Sequence, residues 1–217
     1  MIMFEIVRSK IETDRITDFV AIGNLIDDKA VSYHAAFIIK CENILYEFHY
    51  TGSSIELIQL QRDYFHKITD TISPEEVPAF MALCKNIQKK ANPIYDFYYS
   101  GESYDIDGNH ISNPESGERM TCVGFCLNVL KGFLDEDYLV YSDWTSETNQ
   151  LKEYLEYFCR NNNIAPIKIT SSHRRITPRE CLTSCFFKDI PITKQRIDER
   201  IGKVDDFFLT RYSISNN

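Results

Sequence analysis

The chain has 217 residues, with 24 Lys and Arg against 32 Asp and Glu, for a formal net charge of -8 at pH 7. That length holds one sizeable core, or at most two small ones. The acidic balance argues against a nucleic-acid role, because phosphate binding draws on clustered Lys and Arg.

A composition of 43% hydrophobic and 26% charged residues is that of a folded globular protein. The opening stretch MIMFEIVRSKIETDR lacks the long apolar region of a secretory signal, and no later segment reaches 18 consecutive apolar residues. Seven cysteines without regular spacing suit a reducing compartment better than a disulfide framework. The expectation is a soluble cytoplasmic protein, one domain over residues 1–217, with no membrane span.

Along the chain, VSYHAAFII (31–39) and ILYEFHY (44–50) are rich in β-branched and aromatic residues and read as an antiparallel pair around the polar KCEN. If Ile39 pairs with Ile44, His34 stands opposite His49, and Glu47 lies diagonal to it on the same face. IELIQL (55–60) offers a third strand. SPEEVPAFMALCKNIQKKANP is a helix with Ser73 as cap, Glu76 completing a capping box, and Pro78 as an internal flaw. The polar passage 99–119 contains an Asp107–Gly108 turn and reads as a substrate-facing loop.

Residues 117–133, GERMTCVGFCLNVLKGF, place Thr121 as N-cap and Cys122 in the first turn of a helix whose apolar positions are Val123, Phe125, Cys126, Val129, Leu130 and Phe133. Free N–H groups and the positive end of the macrodipole favour a thiolate there, as a nucleophilic cysteine requires. Further on come a turn (134–142), a helix around SETNQLKEYLEYFCRNNN, a short strand PIKIT, and ITPRECLTSCFF. The tail from Lys194 stays unassigned. HRRITPRE (173–180) is a local basic exception and reads as a solvated face or loop.

A nucleophilic thiol needs a nearby base and a third group to orient it. His34 and His49 lie on the predicted strand pair, whereas His66 and His110 read as surface residues and His173 has no distinguishing neighbour. A zinc site from Cys122, Cys126, Cys181 and Cys185 is disfavoured by loose spacing and flanking phenylalanines, so no metal or cofactor is expected.

T-C-V-G-F-C-L-N-V (121–129) resembles the nucleophile motif D-C-S-G-F-V of NlpC-type papain-like cysteine peptidases, and S-Y-H-A-A-F-I-I resembles the His-x-G-I strand of their circularly permuted branch. That branch includes the YiiX-like proteins and the lecithin retinol acyltransferase relatives. I-L-Y-E-F, P-I-Y-D-F and I-T-P-R-E-C-L-T-S also resemble elements of the YiiX-like pattern, so the likeness spans roughly residues 31–184. Thr121, Val123 and Ala36 depart from it, which weakens any reading of peptidoglycan as substrate.

The resemblance implies an α+β permuted papain-like fold, a curled antiparallel sheet of about five strands packed on the Cys122 helix. It also implies hydrolysis of a peptide or acyl-amide through a thioester. Cys122 is the expected nucleophile, His34 its base, Glu47 the orienting carboxylate, and Tyr95 a substrate-facing donor beside the Cys122 N–H. Distance favours His49 over Glu47 as the third member. Charge and motif favour Glu47, the expected third member. A lipid acyltransferase and a catalytically idle binding domain are the alternatives.

Overall fold

A computed structural model describes residues 6–8, 17–97, 99, 101–111, 117–145, 149–161, 163, 165, 166 and 173–215. The predicted strand PIKIT falls largely outside them. Six strands form one antiparallel sheet: β1 (Val7–Arg8), β2 (Phe19–Ile26), β3 (Ser32–Cys41), β4 (Ile44–Tyr50), β5 (Ile55–Gln59) and β6 (Phe65–Ile68), in spatial order β1-β6-β2-β3-β4-β5. The two central strands, β2 and β3, carry the most apolar runs. β2 is absent from the sequence reading.

Alternation sorts the side chains of β3 and β4 onto two faces. Ala35, Phe37, Ile39 and Phe48 join the main core with Phe80 and Phe125, and the Phe48 and Phe125 rings meet edge-on at 5.0 Å. Ala36 and Ile38 belong to a smaller cluster with Phe19, Ala21 and Tyr64 on the other face. The chain reaches β6 from the opposite sheet edge by crossing that second face. Residues 60–64 form this strap: the Leu60 N–H donates to Leu45 O, and Arg62 reaches Glu47 on β4.

Five helices are described. α1 (Val77–Lys90) follows a 3-10 turn at Pro74–Glu76, capped as expected by Ser73 with Glu76. Because the α-helical ladder starts only at Val77, Pro78 sits in its first turn, where an N–H has no partner to lose; it is no internal flaw. α2 (Cys122–Leu134) begins at Thr121, whose hydroxyl accepts the Gly124 N–H at 3.1 Å, and ends at Asp135 in the left-handed region. Every residue from Cys122 to Leu130 is buried, so this is a central helix rather than an amphipathic surface one. Gly132 allows that depth, since a Cβ there would stand 2.2 Å from the Tyr104 carbonyl oxygen.

α3 (Asn149–Asn161) matches its prediction, and α4 (Pro178–Ser184) is opened by a Thr177–Glu180 capping box. The unassigned tail is α5 (Lys194–Ser215), docked by Ile197, Val204 and Phe208. Short pairs complete the fold: β7 (Ile94–Tyr95) lies parallel to β10 (Arg119–Met120), and β8 (Ser103–Tyr104) pairs with β9 (His110–Ile111) across the Asp107–Gly108 turn. The expected α+β class therefore holds, with six strands in the sheet instead of about five. Among the described residues no helix is long and apolar enough to cross a membrane.

Candidate active site

The β3–β4 hairpin turns on two residues, Glu42 and Asn43, both at positive φ (53° and 63°). Such a turn matches the natural twist of the strands. It draws Lys40 and Cys41 into the ladder, giving Phe37↔Phe48, Ile38↔Glu47 and Cys41↔Ile44. The expected four-residue KCEN connection is thus replaced by a tighter one. The register moves by two residues, which preserves the faces but removes the direct His34–His49 opposition.

The ladder between β3 and β4 stops at Phe37 and Phe48. Beyond it, β3 continues on β2 and β4 continues on β5, so the two strands part. β3 also carries an extra residue at Tyr33, because Leu25 pairs with His34 and Ile26 with Ser32. A bulge of this kind bends a strand and re-aims the neighbouring side chain. The backbone N–H freed by the parting is used: that of Ala35 points at the buried Cys122 thiol. Tyr95 closes another side, held by pairing with Met120 two residues before Cys122.

From the second face, four side chains form a chain of contacts. His34 Nε2 lies 2.8 Å from His49 Nδ1, His49 Nε2 lies 2.7 Å from Arg62 Nη1, and the same Nη1 lies 2.8 Å from Glu47 Oε1. A guanidinium only donates, so His49 Nε2 accepts, and its ring proton sits on Nδ1 and is given to His34 Nε2. His34 then carries its own proton on Nδ1, its remaining nitrogen. Glu56 Oε2, 3.3 Å from His49 Nε2, supplies a second arrangement. If that nitrogen holds the proton and donates it to Glu56, His34 Nε2 becomes the donor and Nδ1 is free to accept.

The structure therefore sets His49, not Glu47, against His34. The Glu47 carboxylate is fully buried and binds Arg62 through its side chain and, at 3.4 Å, its backbone N–H. Cys122 and His34 are not hydrogen-bonded to each other; the Ala35 N–H, one residue from His34, is what joins the thiol to β3.

No family model, curated protein or solved structure matches this chain.

Electrostatics correct one expectation. Burial pushes the Cys122 thiol up, outweighing the Ala35 N–H, the Arg175 charge and the N–H groups of the helix start, all of which act the other way. Helix position alone does not make a thiolate here, because the desolvation of a charged sulfur is larger. His34 is lowered to about 4 by burial, His49 and Arg62, and His49 to about 4 by burial and Arg62. Both rings are neutral near pH 7. Burial pushes Glu47 upward against the pull of Arg62, and Tyr95 is raised to about 12 by burial and by Cys122.

Three other histidines differ from their expected surface or featureless settings. His66 is fully buried and stacked on Phe19, the His110 ring packs 3.1 Å from Glu102, and His173 is buried facing Asp96 and Arg119. Among the described residues no group of three or more His, Cys, Asp or Glu is placed to hold a metal. Cys126, Cys181 and Cys185 are free, fully buried core residues. Arg62 and Glu56 were not visible as site residues beforehand. A lone arginine in QRDYF and a glutamate on an edge strand carry no spacing signal, and only the strap's course over β4 brings them to His49.

Proposed function

We propose that this protein is a thiol hydrolase of permuted papain-like kind, which cleaves an amide bond of a peptide or acyl-amide through a Cys122 thioester. One observation carries the reading: the thiol that opens α2 accepts the Ala35 N–H of β3, one residue from His34, whose ring is held by His49 where the β3–β4 ladder parts. A thiol on a rigid element and a base held by a second hydrogen-bonded group are the parts nucleophilic catalysis requires.

In this mechanism the Cys122 sulfur attacks the carbonyl carbon as its proton passes to His34 Nδ1. The imidazolium so formed donates from Nε2 to His49 Nδ1, while His49 Nε2–H turns to Glu56. His34 then protonates the leaving nitrogen, the C–N bond breaks, and water, deprotonated by His34, releases the acid from the thioester. The backbone N–H of Cys122, at a helix start, faces the developing oxyanion, with the Tyr95 hydroxyl as second donor. A raised thiol and a lowered imidazole mean that no resting ion pair forms, so proton transfer accompanies C–S bond formation. Glu47 acts at one remove, anchoring Arg62.

His49 as third member also favours a second reading, acyl transfer from lipid esters, because a histidine on this strand suits the acyltransferase relatives. A panel of chromogenic peptide amides, N-acyl amides and acyl esters tests both. Turnover of amides that is lost in Cys122→Ser supports the first reading, and turnover of esters alone supports the second. No Cys122-dependent turnover of any member leaves a binding domain and refutes both.

A further inference from the structure

The basic stretch HRRITPRE holds three arginines, and the structure disposes of two of them. Arg179 is built into the scaffold: it donates to Ser32 Oγ at 2.9 Å, Asp205 Oδ1 at 2.8 Å and Ala30 O at 2.6 Å, and it stacks on Phe208. Arg174 donates to the carbonyl oxygen of Trp144. Arg175 is different. Its Nη1 donates to Ile176 O at 3.2 Å, and among the described residues its solvent-shielded Nε has no hydrogen-bond partner and no carboxylate pairs with it.

What surrounds Arg175 is aromatic. Its guanidinium carbon lies 4.3 Å from the centre of the Tyr154 ring and 5.6 Å from that of Phe97. Phe97 in turn meets Tyr95 edge-on at 5.9 Å, and Tyr95 is the residue paired with Met120 beside the start of α2. The charge is close enough to act on both the Cys122 thiol and Tyr95. It thus reaches the thiol from the Tyr95 side, while β3 meets the thiol through the Ala35 N–H. A half-buried cation set over aromatic rings, with no carboxylate among the described residues on its fork, is suited to a planar anion.

We propose that Arg175 is a specificity-determining residue that takes a carboxylate of the substrate close to the scissile carbonyl, so that the preferred substrates are N-acyl amino acids or short peptides with a free carboxylate there. Phe97 and Tyr154 carry the apolar part of the same substrate. This deepens the hydrolase reading and rests on it.

The test uses alkylation of Cys122 in the intact protein, which needs no turnover. Iodoacetate and iodoacetamide form the same S–C bond and expel iodide, but only iodoacetate brings a carboxylate. The ratio of their rate constants at Cys122 is read by peptide mass spectrometry and compared with the ratio at a free thiol. One charge contact in such a site corresponds to roughly fivefold in rate. Wild type is expected to exceed the free-thiol ratio by that factor, Arg175→Gln to fall back to it, and Arg175→Lys to keep part of it. Equal ratios in wild type and Arg175→Gln, with Cys122 modified by both reagents, overturn the role of Arg175 and leave the hydrolase reading standing. A thiol that reacts with neither reagent overturns the hydrolase reading itself. Should Arg175→Gln fail to fold, wild type alone decides. N-benzoylglycine should protect Cys122 from iodoacetamide and its primary amide should not; equal protection by the two overturns the proposal.

Discussion

Arg62 and Glu47 share one ion pair, yet breaking it from either end should have unequal consequences. The Glu47 carboxylate is fully buried, whereas the Arg62 side chain is 40% exposed and has Glu56 within 3.7 Å. Arg62→Met leaves a buried carboxylate without its cation, a loss of about 3 to 5 kcal/mol. In a chain this long that corresponds to roughly 6 to 20 °C in Tm. Glu47→Gln keeps an acceptor for Nη1 and leaves a cation that can turn to water, so about 1 to 2 kcal/mol is expected. The double variant, with no buried charge, should recover most of the stability lost in Arg62→Met. The sign of the pH dependence follows. Without Arg62, the Glu47 pKa in the folded protein rises further above its unfolded value. The added instability is therefore absent below the unfolded pKa and grows as pH rises towards the folded one. Urea unfolding between pH 4 and 8 measures all of this. Equal losses for the two single variants, or a double variant no more stable than Arg62→Met, would refute the reasoning.

Other consequences are open to the same variants. Relative to folded protein, His49→Gln should lower turnover more than Glu47→Gln, because His49 touches His34 and Glu47 does not; the reverse ranking in steady-state rates restores Glu47 as the orienting group. Iodoacetamide labelling of Cys122 should climb continuously from pH 6 to above 9, as a thiol raised by burial requires, and a plateau at pH 6 to 7 contradicts that burial effect. His34 and His49 are lowered to about 4 in the folded chain. The unfolded chain therefore binds more protons below about pH 6.5, and stability falls from there towards pH 4. Replacing either ring with Gln should flatten that slope in urea midpoints, and an unchanged slope would show that neither ring carries it.

The sequence made the α2 start legible because its signals are local: Thr121 caps, and apolar residues follow at helical spacing. The β3–β4 pair was legible for the same reason, and so was the face shared by His34, Glu47 and His49, since parity survives a register shift of two. The register itself was not. Glu42 and Asn43 both adopt positive φ, and nothing in KCEN announces a two-residue turn in place of a four-residue one. Helix α5 was missed although Ile197, Ile201, Val204 and Phe208 recur at helical spacing, because intervening charges mask a narrow apolar stripe. Arg62 and Glu56 lay beyond reach, since their roles depend on where a strap crosses a sheet. The thiol's protonation was not legible either, because the helix start is a local feature and the burial of its first turn is not. Both are tertiary effects, and local pattern is silent on them.

The central claim is that Cys122 carries the acyl group, and intact-protein mass spectrometry tests it most directly. Wild type mixed with an excess of an activated acyl ester and quenched in acid within seconds should gain one acyl mass. That mass should map to Cys122, be released by hydroxylamine at neutral pH, and decay more slowly in His34→Gln. It should be absent from Cys122→Ala. An unmodified protein, or an acyl group on lysine or on another cysteine that persists in Cys122→Ala, would contradict the account.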